Sequence, residues 1–185
     1  MFLMLCQASA CTVFVLNDED SAFYFGNENT SLTGAQIWFL SGGEDAHSGA
    51  YIGFNGAAET GVNTAGLAFD WVNKYNDTWD RMPDAKTVRG NYGQRMLEQC
   101  ATLDAAIEFC RKYPHPVFAN ARLMIADKTG ASAIVGVRDG GLSIDRFEDG
   151  HGLGTGFDGV LLEDMPDAIP GADIDKGFEL LDRCF

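Results

Sequence analysis

An α+β fold follows from three features of this 185-residue sequence. Apolar, β-prone runs come first, between Cys11 and Val72. Two helical periodicities follow, between Tyr92 and Tyr113. Strand-like runs then return between Arg122 and Arg146. Segregated runs of this kind stack as layers, whereas a βαβ wind would alternate strands with helices. The composition agrees. Hydrophobic residues at 46% are enough for a real core, and 22 Gly against 5 Pro suits strands joined by turns. The length fits one domain.

Each element has a local reason. Cys11 to Leu16 and Ser21 to Gly26 are β-prone runs around the polar turn Asn17-Asp18-Glu19-Asp20, a hairpin by pattern. An antiparallel pair returns the polar cluster Gly26-Asn27-Glu28-Asn29-Thr30 to the neighbourhood of Cys11. Ile37 to Leu40 and Tyr51 to Phe54 read as short strands separated by Gly42-Gly43. Gly61 to Gly66 reads as a turn, and Leu67 to Val72 as a strand ending at Asn73. The polar stretch from Asn73 to Asn91, with Pro83 and Gly90, reads as a loop, and long loops often border binding sites.

Tyr92, Met96, Leu97 and Cys100 share one helical face. Thr102 then caps a second helix that puts Leu103, Ala106, Ile107, Cys110 and Tyr113 on one side, and Pro114 stops it. Arg122 to Asp127 and Ala131 to Arg138 form a hairpin around Lys128-Thr129-Gly130, with a further strand from Gly141 to Arg146. Gly150 to Gly159, with five glycines, reads as a loop, and Lys176 to Phe185 as a terminal helix. Gly152-Leu153-Gly154-Thr155-Gly156 lacks the G-x-G-x-x-G spacing of a dinucleotide turn.

Charge and cysteines narrow the function. A net charge of −14 and a pI near 4.4 exclude ordinary nucleic-acid binding, which needs Lys and Arg for phosphate, and oppose adsorption to an anionic membrane. No apolar run is long enough to span a bilayer. No pair among the five cysteines has metal-ligand spacing, so neither a structural zinc nor any other metal or cofactor is expected. Cys100 and Cys110 read as buried free thiols; Cys6 precedes Cys11, and Cys184 lies beside the C-terminus. His47, His115 and His151 sit in no signature, although His47 and His151 lie in loops from which a Cys–His pair could be built.

Cys11 carries the chemistry. It follows Ala8-Ser9-Ala10, a small-x-small cleavage site, so residues 1–10 read as a leader removed after Ala10 from an exported protein. Met1 to Leu5 is a short apolar region with no preceding basic residue, as in a leader clipped at its start. A lipoprotein signal, with Cys11 lipidated, is a weaker reading because Ala8 stands where such signals favour Leu. A terminal Cys joins nucleophile and base in one residue: its α-amine, with a pKa near ~8, can take the thiol proton. The plain alternatives are a buried thiol at Cys11, turn residues at Asn27 and Asn29, and a strand cap at Asn73.

An ordered set of motifs then carries a resemblance. The set runs from the cleavage site and Cys11-Thr12 through Phe25-Gly26-Asn27, Ile37-Trp38-Phe39 and Tyr51-Ile52-Gly53-Phe54. It continues with Gly61-Val62-Asn63, Gly66-Leu67, Ile125-Ala126-Asp127-Lys128-Thr129-Gly130 and Gly154-Thr155-Gly156-Phe157. In this order the sequence resembles the linear amide C–N hydrolases, the group of choloylglycine (bile salt) hydrolases, penicillin V acylases and isopenicillin N acyltransferase-like enzymes. The resemblance implies the four-layer αββα sandwich of N-terminal nucleophile hydrolases. It also implies Cys11 as nucleophile, Asn73 as an oxyanion donor, and a small acyl-amide substrate cleaved through a thioester.

The departures are specific. Asn27 stands where many members carry Arg. Thr30 falls in the stretch where the family has an Asp that holds the terminal amine, leaving Glu28 or Asn29 to fill that role. Gly156 replaces the Asn of a Thr-Asn-Phe-like motif, a second oxyanion donor. Family members also run on well past this length, so residues 11–185 are expected to be an incomplete domain. The competing reading is a diverged, non-catalytic or lipid-anchored domain of the same fold.

Overall fold

Leu123-Met124-Ile125-Ala126 and Ala133-Ile134-Val135 are unbroken apolar runs, and the reason is that both faces of these strands are covered. The computed structural model of the chain describes residues 12–17, 22–27, 33–73, 78–80, 86–148 and 153–155. The strands are β1 (Thr12–Asn17), β2 (Ala22–Asn27), β3 (Gln36–Leu40), β4 (Gly49–Phe54), β5 (Ala57–Asn63), β6 (Ala68–Asn73), β7 (Ala121–Ala126), β8 (Ser132–Arg138), β9 (Gly141–Phe147) and β10 (Leu153–Thr155). Between β6 and β7 come helices α1 (Tyr92–Gln99) and α2 (Leu103–Lys112) and a 3-10 turn, Pro116–Ala119. The strands make two antiparallel sheets, one of seven in the order β3-β4-β5-β6-β7-β8-β9 and one of three in the order β10-β1-β2.

Alternation along the central strands sorts the core into two layers. Phe69 and Trp71, Leu123 and Ile125, and Ala133 and Val135 point to one face. There they pack with Met96, Leu97, Leu103, Ile107, Cys110 and Phe118 of the helical layer. Val72, Met124 and Ile134 point to the other face and form a buried cluster with Val13 of β1, with Tyr24 and Phe147 packed against it. The Tyr24 hydroxyl, from β2, donates to the Met124 carbonyl across the same gap at 3.2 Å. The described chain is therefore three layers deep: helices, large sheet, small sheet. This agrees with the expected α+β class; the expected terminal helix and any fourth layer lie outside the described residues, as do residues 1–11.

Two expectations are corrected. The first half of the stretch read as a turn, Gly61 to Asn63, is the end of strand β5, and the turn is Thr64 to Gly66. Ala57-Ala58-Glu59-Thr60-Gly61 lacks the β-branched richness of a typical strand and is held by its neighbours instead. Its hairpin with β4 turns through Asn55 (φ 52°) and Gly56 (φ 77°), both left-handed, as a two-residue type I′ loop requires. The second correction concerns the glycine-rich segment from Gly150. It contains β10, which pairs Leu153, Gly154 and Thr155 with Phe14, Val13 and Thr12. Glycine is tolerated there because register with β1, not side-chain propensity, holds the strand.

The helices dock through polar as well as apolar contacts. Thr102 caps α2 as expected, its Oγ1 accepting from the Ala105 amide at 3.3 Å. Asp127 Oδ2, in the β7–β8 turn, accepts from the Leu103 amide at 3.0 Å and ties that turn to the start of α2. Asn63 is buried at the end of β5. Its Nδ2 donates to the Leu97 and Cys100 carbonyls at 2.8 and 2.7 Å, while its Oδ1 accepts from the Ala65 and Leu67 amides at 3.1 and 3.0 Å. One side chain thus closes the β5–β6 turn and anchors the end of α1. Cys100 and Cys110 are buried free thiols, as expected, and burial pushes them up to about 11 and about 12 respectively.

Asn63→Ala is expected to cost about 2–4 kcal/mol, because it strands buried carbonyl and amide groups. An unchanged urea midpoint would contradict that role. In the native protein at pH 8, Cys100 and Cys110 should resist iodoacetamide and react only after unfolding. Labelling of either at the rate of a small free thiol would show that the helical layer is open.

Candidate active site

The start of β1 is a crossing point. Thr12, one peptide from Cys11 and about 3.8 Å away between Cα atoms, is paired on one side with Asn27 of β2 and on the other with Thr155 of β10. The next residue, Val13, is fully buried in one cluster with Val72, the residue before Asn73. Asn73 itself closes β6, its backbone opposite Ala121. Three segments singled out in the sequence, the ends of β2, β6 and β10, therefore converge on the residues that follow Cys11.

The individual candidates stand as follows. Asn27 is the last residue of β2 and Asn73 the last of β6. Cys11, Asn29, Thr30, Gly156 and His151 lie outside the described residues. His47 belongs to the helical side, where its amide donates to the Glu98 carbonyl of α1 at 2.9 Å. His115 caps the 3-10 turn, its Nδ1 accepting from the Val117 amide at 3.1 Å, and burial lowers its basicity. Neither described histidine is at the start of β1. Among the described residues no cluster of three metal-ligating side chains occurs, and no helix is long and apolar enough to cross a membrane.

One residue beside this crossing point has no counterpart among the sequence candidates. Asp70, in β6, is 1% exposed, and its carboxylate lies directly over Gly26 of β2, leaving no room there for a Cβ. Gly26 is opposite Val13 and adjoins Asn27. Asp70 alternates with Phe69 and Trp71, so it faces the small sheet while they face the helices. The sequence carries a signal for it: a lone acidic residue inside the apolar run Leu67-Ala68-Phe69-Asp70-Trp71-Val72. An open depression lined by Gln36, Ile37, Trp38 and Gly56 lies at the other end of the large sheet, around β3.

The fold is shared with known enzymes. No family model matches the sequence, and no curated protein matches it. Solved structures do. Penicillin V acylase from Agrobacterium tumefaciens superposes with a TM-score of 0.53 at 19% identity, covering 75% of this chain and 50% of that one. Two single-residue variants of conjugated bile acid hydrolase from Clostridium perfringens superpose with TM-scores of 0.62 and 0.63 at 14% identity, each covering 94% of this chain and 57% of that one. Both enzymes belong to the group that the motif order resembles. The chain thus has the fold of penicillin V acylase and conjugated bile acid hydrolase over most of its own length, and spans about half of theirs.

Proposed function

We propose that this chain carries the nucleophile of a cysteine amidase that cleaves linear amide C–N bonds in a small acyl-amine substrate. The observation that supports this most is the convergence at Thr12, with Asn27 on one side, Thr155 on the other and the Val72–Asn73 end of β6 packed beneath. These three candidate segments, separate in sequence, meet at Thr12 and Val13, the residues that follow Cys11 in the chain. The fold shared with two amide hydrolases supports the same reading.

In this reading cleavage after Ala10 frees the α-amine of Cys11. The neutral amine takes the thiol proton, and the thiolate adds to the amide carbonyl. Asn73 donates to the oxyanion of the tetrahedral intermediate. That intermediate collapses by breaking the C–N bond, and the amine leaves with the proton held by the Cys11 ammonium. The thioester remains. Water, giving a proton to the same amine, then adds to the thioester, and its collapse releases the acid and restores the thiol. Asn27 and Asn29 flank the amine and the bound acyl group. The proposed chemistry needs no cofactor and no metal; the reading of residues 1–10 as a leader, separately, makes the protein an exported one.

A second reading has specific support. Thr30 and Gly156 replace an Asp and an Asn of the group, as in a domain that kept the fold and lost the chemistry.

Turnover of penicillin V, a conjugated bile acid and a panel of small acyl amides separates the two. Cys11→Ser should lose nearly all activity, and Cys11→Ala should melt as the native protein does; an unchanged rate in Cys11→Ser sinks the proposal. Asn73→Ala should lower kcat about 100-fold to 1,000-fold, the usual worth of one oxyanion donor. Gly156→Asn should raise the rate by roughly two orders of magnitude if a donor is missing there. A folded Gly156→Asn with no gain on any substrate would remove that loop from the site.

A further inference from the structure

We propose that β3 is a dimerisation edge, along which a second copy of this chain adds its own β3 antiparallel to the large sheet. Four observations carry it. β3 is the last strand of the seven-stranded sheet and pairs with β4 on one side only; among the described residues no backbone hydrogen bond reaches its other side. Its side chains are uncovered. Ile37 and Phe39 stand largely exposed on one face, and Leu40 and the half-buried Trp38 on the other. No charged residue and no proline lies between Thr33 and Gly43, so the edge carries none of the groups that repel a neighbouring strand. The opposite edge is guarded: in β9, Asp145 pairs with Arg138, and Arg146 with Asp104 and Glu148.

The occupant is a second copy because the edge is complementary to itself. An antiparallel pair centred on Trp38 sets Ile37 against the partner's Phe39 and Phe39 against the partner's Ile37, all on one face. On the other face Trp38 meets the partner's Trp38, and Gln36 meets the partner's Leu40. The open depression lined by Gln36, Ile37, Trp38 and Gly56 receives that leucine. The pair also prolongs an interface that already exists. It adds one strand to the β3–β4 ladder, and the apolar rows Ile37–Ile52 and Phe39–Ala50–Val62 gain a neighbour. A two-fold contact of this kind is isologous, and with β9 guarded it closes at two copies. One pair of five-residue strands is a small interface, so the dimer is weak, with a dissociation constant on the order of 10–100 µM. A net charge of −14 on each copy adds long-range repulsion, so salt should tighten the association.

Sedimentation velocity of the full chain, at concentrations from well below that value to well above it, reads the dimer, and hydrogen exchange locates the contact. A monomer–dimer equilibrium is expected, with the amides of residues 36–40 exchanging about fivefold or more slowly in the dimer. Phe39→Lys puts a charge on the edge and should weaken the dimer by about tenfold or more while melting as the native protein does. Ile37→Lys should do the same and serves if the first variant fails to fold. Ile52→Lys, exposed on the same face but one strand in from the edge, should leave the dissociation constant within about threefold. Three results overturn the proposal. One is a chain that stays monomeric at the highest concentration in both low and high salt. Another is a dimer whose 36–40 amides exchange as in the monomer. The third is a dimer weakened by Ile52→Lys as much as by Phe39→Lys, which would make the sheet face, not its edge, the contact.

Discussion

Burial of β6, β7 and β8 on both faces is the constraint on which the rest depends. Val13 lies against Val72, Met124 and Ile134, and each such side chain removed from water contributes about 1.5–3 kcal/mol. That contact fixes the small sheet on the large one. It also fixes where β1 begins, because β1 cannot slide by one residue without turning Val13 out of the cluster and Phe14 into it. Phe14 instead stacks on Phe25 across the β1–β2 pair, with ring centroids 4.7 Å apart. The register of Thr12, where the described strand begins, is therefore set by apolar packing.

The same constraint explains the asymmetry of the large sheet. Its helical face is filled along most of its width. Tyr92, Phe109 and Phe118 form a ring cluster with Trp71, and Trp38 of β3 still stacks on Tyr51 of β4. On the other face, among the described residues, the small sheet packs over the central strands, with Phe147 of β9 against the same cluster. Register places Ile37 opposite Ile52, and Phe39 in the row of Ala50 and Val62. Ile37 and Phe39 are 65% and 76% exposed there. Polar satisfaction is concentrated where layers change: Asn63 at the end of α1 and Asp127 at the start of α2.

Much of this is legible in the sequence, for physical reasons that can be named. The first hairpin, the Thr102 cap and the β7–β8 pair each rest on local signals, and all are present. Strand β5 escapes a local reading because Ala57 to Gly61 has no strand composition, although Asn55-Gly56 announces the hairpin that creates it. Strand β10 escapes it because its glycines signal loop, while pairing with Thr12 and Val13 is the deciding term. The return of Asn27 to Thr12 follows from turn length alone. The place of Asp70 over Gly26 does not, since it depends on how two sheets stack, and no local pattern encodes that.

Whether the residue preceding Thr12 performs the chemistry is tested most directly by trapping the acyl-enzyme. The processed protein would be mixed with excess penicillin V or a chromogenic acyl amide, quenched in acid within milliseconds to seconds, digested and examined by mass spectrometry. An adduct of the acyl group's mass is predicted on the peptide that begins at Cys11, labile to hydroxylamine as a thioester is. Turnover without that adduct, or an adduct on any other residue, would contradict the role of Cys11.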